Sequence, residues 1–248
     1  MIFIFSNGLY GQFYGHKLFS LGNNNLNAVG IFIDSNNDRI IVPTIYYPGD
    51  TSTIITFDQE GNNRFDIEIP NFVLPKSSFV HLDGHNYFYG KNDAISNNLE
   101  IIKLDSTNQV IWQHDFQTDL DYSFPNDIVT INQELYITSV IERTEPFHRR
   151  LNVKKIDRFG DELWSRNFNS ASYISYPSQA IISSDNHFLL SATLTHQQNV
   201  QFRRSQIMKI NSLGNVVWEV LGTEKTQNGV RATLAELSNN NLVQLYEV

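Results

Sequence analysis

The sequence predicts an all-β fold, a five-bladed β-propeller of four-stranded antiparallel blades. Three observations carry this. One hairpin phrase recurs four times, as IITFDQEGNNRF at 54–65, IIKLDSTNQVIW at 101–112, VKKIDRFGDELW at 153–164 and IMKINSLGNVVW at 207–218. Anchored on Asp58, Asp105, Asp157 and Asn211, the copies are spaced by 47, 52 and 54 residues, a period that in strand-rich chains marks small sheets repeated about an axis. A second hairpin phrase alternates with the first, at 28–44, 77–90, 126–139, 179–192 and 232–248. Two hairpins per period make four strands, which is one blade.

The first phrase opens on a period-2 strand, in which Ile101, Lys103 and Asp105 alternate with Ile102 and Leu104. A polar turn follows, with Gly61, Asn108, Gly160 or Gly214 placed to supply a positive φ. The next strand carries an aromatic residue seven positions after the anchor: Phe65, Trp112, Trp164 and Trp218. Its recurrence in every copy points to packing between neighbouring sheets, where burial contributes roughly 1.5–3 kcal/mol per large side chain. The second phrase is a strand, a turn of Asp, Asn, Ser or Gly, and a strand.

The second phrase occurs five times and the first four. The N-terminal MIFIFSNGLYGQFYGHKL supplies the missing copy, with Ile4 at the place of Ile210, Gly8 at that of Gly214, and the aromatic Phe13 displaced by one. The chain then starts with the outer hairpin of a blade and ends with its inner hairpin. Pairing of the two would close the ring and leave no open edge, making residues 1–248 a single domain.

Bulk properties narrow the function classes. Of 248 residues, 41% are hydrophobic and 18% charged, which is a globular composition. A net charge of −8 argues against a general nucleic-acid binder. Cysteine is absent, which rules out disulfides, thiolate nucleophiles and Cys-based zinc sites. No apolar run approaches the ~18 residues that suggest a membrane span. The start lacks the basic region and long apolar stretch of a secretory signal, so a cytoplasmic location is expected if Met1 is the native start. There is no Walker loop, GxGxxG or GxSxG.

Two patterns resemble the quinoprotein-like (PQQ-type) propeller repeats. One is K-[IL]-D-x-x-G-x-x-x-W, carried by Lys155, Ile156, Asp157, Gly160 and Trp164; the other is S-x-D-x-x-[FY]-L-[LV]-x-[AG], carried by Ser183, Asp185, Phe188, Leu189 and Ala192. The resemblance runs over essentially the whole chain and implies the propeller architecture. Quinone-binding enzymes of that family look like eight-bladed rings with a metal and a disulfide beside the cofactor. This chain has too few repeats and no cysteine, so no cofactor is expected.

In this architecture the loops into the innermost strands share one face with those between second and third strands. The first group is 16–28, 71–78, 117–127, 169–179 and 222–232; the second is 46–53, 90–100, 141–152 and 195–206. Ligands bind where the central channel opens among such loops. Five of ten arginines fall in two equivalent loops: Arg143, Arg149 and Arg150, and Arg203 and Arg204. Arg149 aligns with Arg203 and Arg150 with Arg204, which makes neighbouring basic pairs suited to an anion, with His148 as a pH-dependent donor. The competing reading is a solvated face neutralised by Glu142 and Glu145.

Acids come next. Asp119, Asp121 and Asp127 share one entrance loop, but their spacing lacks the Gly and terminal Glu of a calcium loop, and no metal site is expected. Asp127, Asp50 and Glu224 lie on the face where a glycosidase would gather carboxylates. Tyr46, Tyr47, Tyr122, Phe124, Tyr173 and Tyr176 offer either sugar-stacking surfaces or hydrophobic anchors for the loops. His81 and His85 flank a turn in HLDGH.

These features lead to the expectation of a non-catalytic binding or scaffold propeller, not an enzyme. It would engage a protein or anionic ligand through Arg143, His148, Arg149, Arg150, Arg203, Arg204, Tyr122, Asp127, Tyr173 and Tyr176. One alternative is a carbohydrate-binding lectin, resembling the five-bladed tachylectin type. A second is a glycoside-hydrolase-like enzyme with acids at the channel mouth. The partner is expected to be a protein or carbohydrate, without nucleic acid or a membrane span, and the chain to be a monomer.

Overall fold

The computed structural model describes residues 2–4, 16–18, 26–28, 32–34, 39–46, 52–58, 62, 65–69, 72–73, 79–92, 98–116, 122–143, 148–168, 173–199, 201–223, 225–226, 231–237 and 241–247. Every regular element among them is a strand, and no helix long and apolar enough to cross a membrane occurs there. The strands fall into two compact units, Met1–Pro70 and Asn71–Val248.

In the first unit, β1 (Ile2–Ile4) pairs with β2 (His16–Leu18). Next come β3 (Leu26–Ala28), β4 (Phe32–Asp34), β5 (Arg39–Tyr46), β6 (Ser52–Asp58) and β7 (Phe65–Ile69). They form one antiparallel sheet in the order β3-β5-β6-β7, with β4 also on β5.

The second unit holds three larger sheets. Sheet I places β8 (Phe72–Val73) and β9 (Phe79–Leu82) on β10 (His85–Asn92), followed by β11 (Asn98–Leu104) and β12 (Val110–Phe116). Sheet II is a plain meander of β13 (Tyr122–Ile131), β14 (Glu134–Arg143), β15 (His148–Ile156) and β16 (Glu162–Phe168). Sheet III repeats it with β17 (Tyr173–Ile182), β18 (Phe188–His196), β19 (Phe202–Ile210) and β20 (Val216–Leu221), and β21 (Lys225–Thr226) adds to β19. Last, β22 (Arg231–Glu236) pairs with β23 (Leu242–Glu247). The four-stranded antiparallel unit expected from the two alternating phrases is thus present.

Alternation along each strand decides how the sheets stack. Tyr136, Leu151 and Val153 of sheet II pack with Phe188, Leu190, Ala192, Met208 and Ile210 of sheet III. The residues between them, Leu135, Ile137 and Ile156, pack with Tyr87, Tyr89, Leu99 and Ile101 of sheet I. Sheet II is therefore covered on both faces. That is why β14 is buried without interruption from Leu135 to Glu142 and carries only apolar, Tyr, Ser or Thr side chains from Leu135 to Ile141.

The anchor of the first phrase is explained by its turn. Asp157 Oδ1 accepts the N–H groups of Phe159 (2.8 Å) and Asp161 (3.0 Å). Asp105 Oδ1 does the same for Thr107 and Gln109, and Asn211 Oδ1 for Leu213 and Asn215. A short side chain with an acceptor oxygen is required there, so only Asp or Asn appears. The positive φ falls where expected, at Asn108 (66°), Gly160 (97°) and Gly214 (81°); Gly61 lies outside the described residues. HLDGH is a tight turn in which Asp83 and Gly84 both have positive φ, pairing Leu82 with His85.

The Trp and Lys of the repeat link successive sheets. Trp164 sets its ring edge against Tyr136 (5.9 Å) and donates Nε1–H to the Ser212 carbonyl at 3.0 Å. Lys155 Nζ donates to the same carbonyl at 3.2 Å, and Lys103 Nζ reaches the equivalent Arg158 carbonyl at 3.4 Å. Phe65 departs from the pattern, since it is 50% exposed. Phe also lacks the indole N–H that fixes Trp164 on its neighbour.

Candidate functional site

The innermost strands β13 and β17 carry the same irregularity. Each slips register after its proline, between Pro125 and Asp127 and between Pro177 and Gln179. Proline cannot donate to the ladder, so a bulge follows it and the next side chain is re-aimed. Asp127 accepts Ile128 N–H on Oδ1 (2.9 Å) and Ala180 N–H, from the next sheet, on Oδ2 (2.8 Å). Gln179 does the equivalent one repeat later, taking Leu234 N–H on Oε1 at 2.7 Å. Asp127 is 5% exposed, and burial pushes its carboxyl up to about 7 against the pull of the two amides.

Register sorts the remaining candidates onto two faces. Asp127 lies opposite Thr138, and Glu142 lies between Tyr122 and Arg149. These positions lie in steps of two residues from Tyr136, Leu151 and Val153, so they belong to the face of sheet II that packs on sheet III. From sheet III, Arg204 lies opposite Leu194, and Leu194 opposite Ser175; Tyr173 and His196 pair one step further along the same face. That face carries Leu190, Ala192 and Met208, which pack on sheet II. Arg149 and Arg204 are therefore directed into one gap from opposite walls. Arg150, opposite Ile141, and Arg203, opposite Thr195, point to the outer faces of their sheets. Each basic doublet is split by the two-residue period of its strand, and the cations that share a gap are not aligned in the sequence. Arg143 pairs with His148 on the face of Arg150; the His148 side chain lies outside the described residues. Asp50, Tyr47, Asp119, Asp121 and Glu224 also lie outside them, as does the side chain of Tyr46.

The gap is lined with charge and rings. Arg149 is ion-paired through Nε with Glu142, and its terminal N–H donates to Tyr176 Oη at 2.6 Å. The Arg204 guanidinium stacks 4.2 Å from the Tyr173 ring centroid, and the His196 ring meets Tyr173 edge-on at 5.2 Å. Tyr122 and Phe124 are 42% and 44% exposed beside them. Glu142 and His196 were not singled out as ligand-binding candidates by sequence. The signal for each was its position opposite a candidate, Arg149 and Tyr173, and this needs the strand register.

A cavity of about 160 Å³ lies away from this gap, by Asp185, Lys209, Trp218 and Glu236. Its charges are already matched. Asp185 takes Lys209 Nζ (2.5 Å) and Ser183 Oγ (2.6 Å), which hold its carboxyl well below the usual range, and Glu236 takes Ser184 N–H (2.6 Å).

No family model matches the sequence, and no curated protein matches it significantly. Solved structures do match in shape. A puromycin hydrolase aligns with a TM-score of 0.59 and 9% identity, over 91% of this chain and 36% of that one. A europium-containing methanol dehydrogenase aligns with a TM-score of 0.56 and 9% identity, over 89% and 49%. An endo-arabinase from Bacteroides thetaiotaomicron aligns with a TM-score of 0.49 and 10% identity, over 87% of each chain. The chain has a propeller-type fold. It spans about half the length of the dehydrogenase and about a third of the puromycin hydrolase. The expectation of a non-catalytic scaffold is corrected here, because the propellers it resembles are enzymes. Repeats alone could not show this, since they report how sheets pack and not what their loops carry.

Proposed function

We propose that this propeller is a hydrolase acting on glycosidic bonds, with its site in the gap between sheets II and III. The observation that carries the reading is a pair of carboxyl groups on one face in contrasting settings. Asp127 is buried and holds its proton up to about pH 7, whereas Glu142 is ion-paired with Arg149. One protonated acid and one carboxylate is the pairing that glycoside hydrolysis needs. Thr138 and Glu142 are four residues apart on β14, roughly 14 Å at ~3.4 Å per residue. Inversion through a water molecule needs the two carboxyl groups to come within ~6.5–9.5 Å of each other.

In the proposed reaction Asp127 gives its proton to the departing glycosidic oxygen as the C–O bond breaks. Glu142 takes a proton from the water whose oxygen bonds to the sugar carbon. Tyr122, Phe124 and Tyr176 supply apolar surfaces for the sugar ring, a composition that also supports the tachylectin-like choice of a saccharide ligand. The repeat spacing and the quinoprotein-like patterns support five blades around the channel.

Hydrolysis of a panel of aryl glycosides and plant polysaccharides, followed by NMR of the anomeric product, tests this. Cleavage with inversion is expected, lowered about 10²–10⁴-fold in Asp127→Asn and Glu142→Gln. Full activity in both folded variants would remove the assignment.

A further inference from the structure

Arg204 is a cation in this gap whose charge no carboxylate among the described residues answers. Arg149, on the facing wall, is consumed by Glu142 and Tyr176. Arg204 makes no ion pair there, and its Nε–H is buried without a hydrogen-bond partner. Native folds seldom leave a buried donor unpaired, and such a group calls for an account. The guanidinium is not loose, because Tyr173 holds its flat face at 4.2 Å. Stacking occupies the faces of the fork and leaves its N–H edge free, the edge that meets a carboxylate through two parallel bonds.

His196 extends the same edge. Its Nδ1 accepts the Gln198 N–H at 3.2 Å, which places the proton of the neutral ring on Nε2 and makes that nitrogen a donor. The ring stands edge-on to Tyr173, so an aromatic surface, a guanidinium edge and an imidazole N–H occur together on one wall. A bare anion would use only the charges. A sugar acid would use all three, setting its ring on Tyr173, its carboxylate on Arg204 and a hydroxyl on His196.

We infer that Arg204, held by Tyr173, recognises the carboxylate of an acidic sugar, so that the ligand of this gap is a uronic-acid-bearing saccharide. This rests on the reading of the gap as a saccharide site, and it names the substrate class.

The test is titration calorimetry at low salt with glucuronic acid, glucose and sodium acetate, on the full chain and its variants. Glucuronic acid should bind at least tenfold more tightly than glucose or acetate. Arg204→Gln should erase that margin, Arg204→Lys should keep part of it, and Arg158→Gln, a change at an arginine paired with Asp83 on the sheet I side, should leave it within twofold. Equal binding of glucuronic acid and glucose, or an unaltered margin in a folded Arg204→Gln protein, would overturn the inference. Equally tight acetate would overturn its saccharide part. If Asp127→Asn keeps Arg204-dependent binding while the wild type cleaves no glycoside, the hydrolase reading falls and this one stands. If the wild type cleaves neutral glycosides at a rate that Arg204→Gln leaves unchanged, this one falls and the hydrolase reading stands.

Discussion

Asp127 and Ala180 are joined across two sheets, the carboxylate Oδ2 of one accepting the backbone N–H of the other at 2.8 Å. They are 53 residues apart in the chain. Gln179 and Leu234 repeat the contact at the next interface with a neutral acceptor. The link therefore needs an oxygen at that position and not a charge.

That difference gives stability a pH dependence. The Asp127 carboxyl ionises near 3.8 when unfolded and near 7 when folded. Between these values the folded chain holds the extra proton, so the contribution is complete below pH ~4 and is lost as pH rises through about 7. The loss is on the order of 4 kcal/mol, at 1.36 kcal/mol per unit. Urea unfolding at pH 5 and pH 8 should show wild type falling by a few kcal/mol more than Asp127→Asn. Parallel profiles would show that the group does not titrate in this way.

The indole of Trp164 is tied to the following sheet by its N–H to the Ser212 carbonyl, and it packs edge-on against Tyr136 of its own sheet. Trp164→Ala should cost about 3 kcal/mol, the lower end of large aromatic truncations because the ring is only partly buried. Trp164→Phe keeps most of the packing and forfeits the hydrogen bond, for about 1 kcal/mol. Denaturant midpoints would rank the two, and equal losses would contradict the separate role of the N–H.

At Gly160 two constraints coincide. Its φ is 97°, and an added Cβ would lie 2.8 Å from His114 Cδ2. Gly160→Ala should destabilise by about 2 kcal/mol, part backbone strain and part steric. Combining it with His114→Ala removes the steric part, so the double variant should lose less than the sum of the two single changes.

The repeat anchor offers a matched pair. Asp157→Ala leaves two turn N–H groups without their acceptor and should cost about 1 kcal/mol, as for lost helix caps. Asp157→Asn should be nearly neutral, since Asn211 serves the same turn one repeat later. Thermal unfolding distinguishes the two, and a comparable loss in both would show that the charge matters.

The hairpins and their turns were legible in the sequence because each rests on residues within a dozen positions of one another, and the sheet-to-sheet aromatic because it recurs at a fixed place in that pattern. A period of two, an Asp acceptor and a glycine at positive φ are local demands, and they recur wherever the local structure does. Phe65 escaped because exposure depends on what faces a residue and not on its place in a repeat.

The site was legible only as a set of residues. Arg149, Arg204, Tyr173, Tyr176, Tyr122 and Asp127 stand out in the sequence, yet their grouping does not. Adjacent residues on a strand point to opposite faces, so Arg149–Arg150 and Arg203–Arg204 are each divided, and Arg149 shares a gap with Arg204 only because sheets II and III stack. The Asp127 contact with Ala180 spans 53 residues, the Arg149 contact with Tyr176 spans 27, and only the Glu142 that neutralises Arg149 is near it in the chain, across one hairpin. Sequence by itself determined which residues are available. The stacking of the sheets decided which are consumed by the fold and which are left to bind.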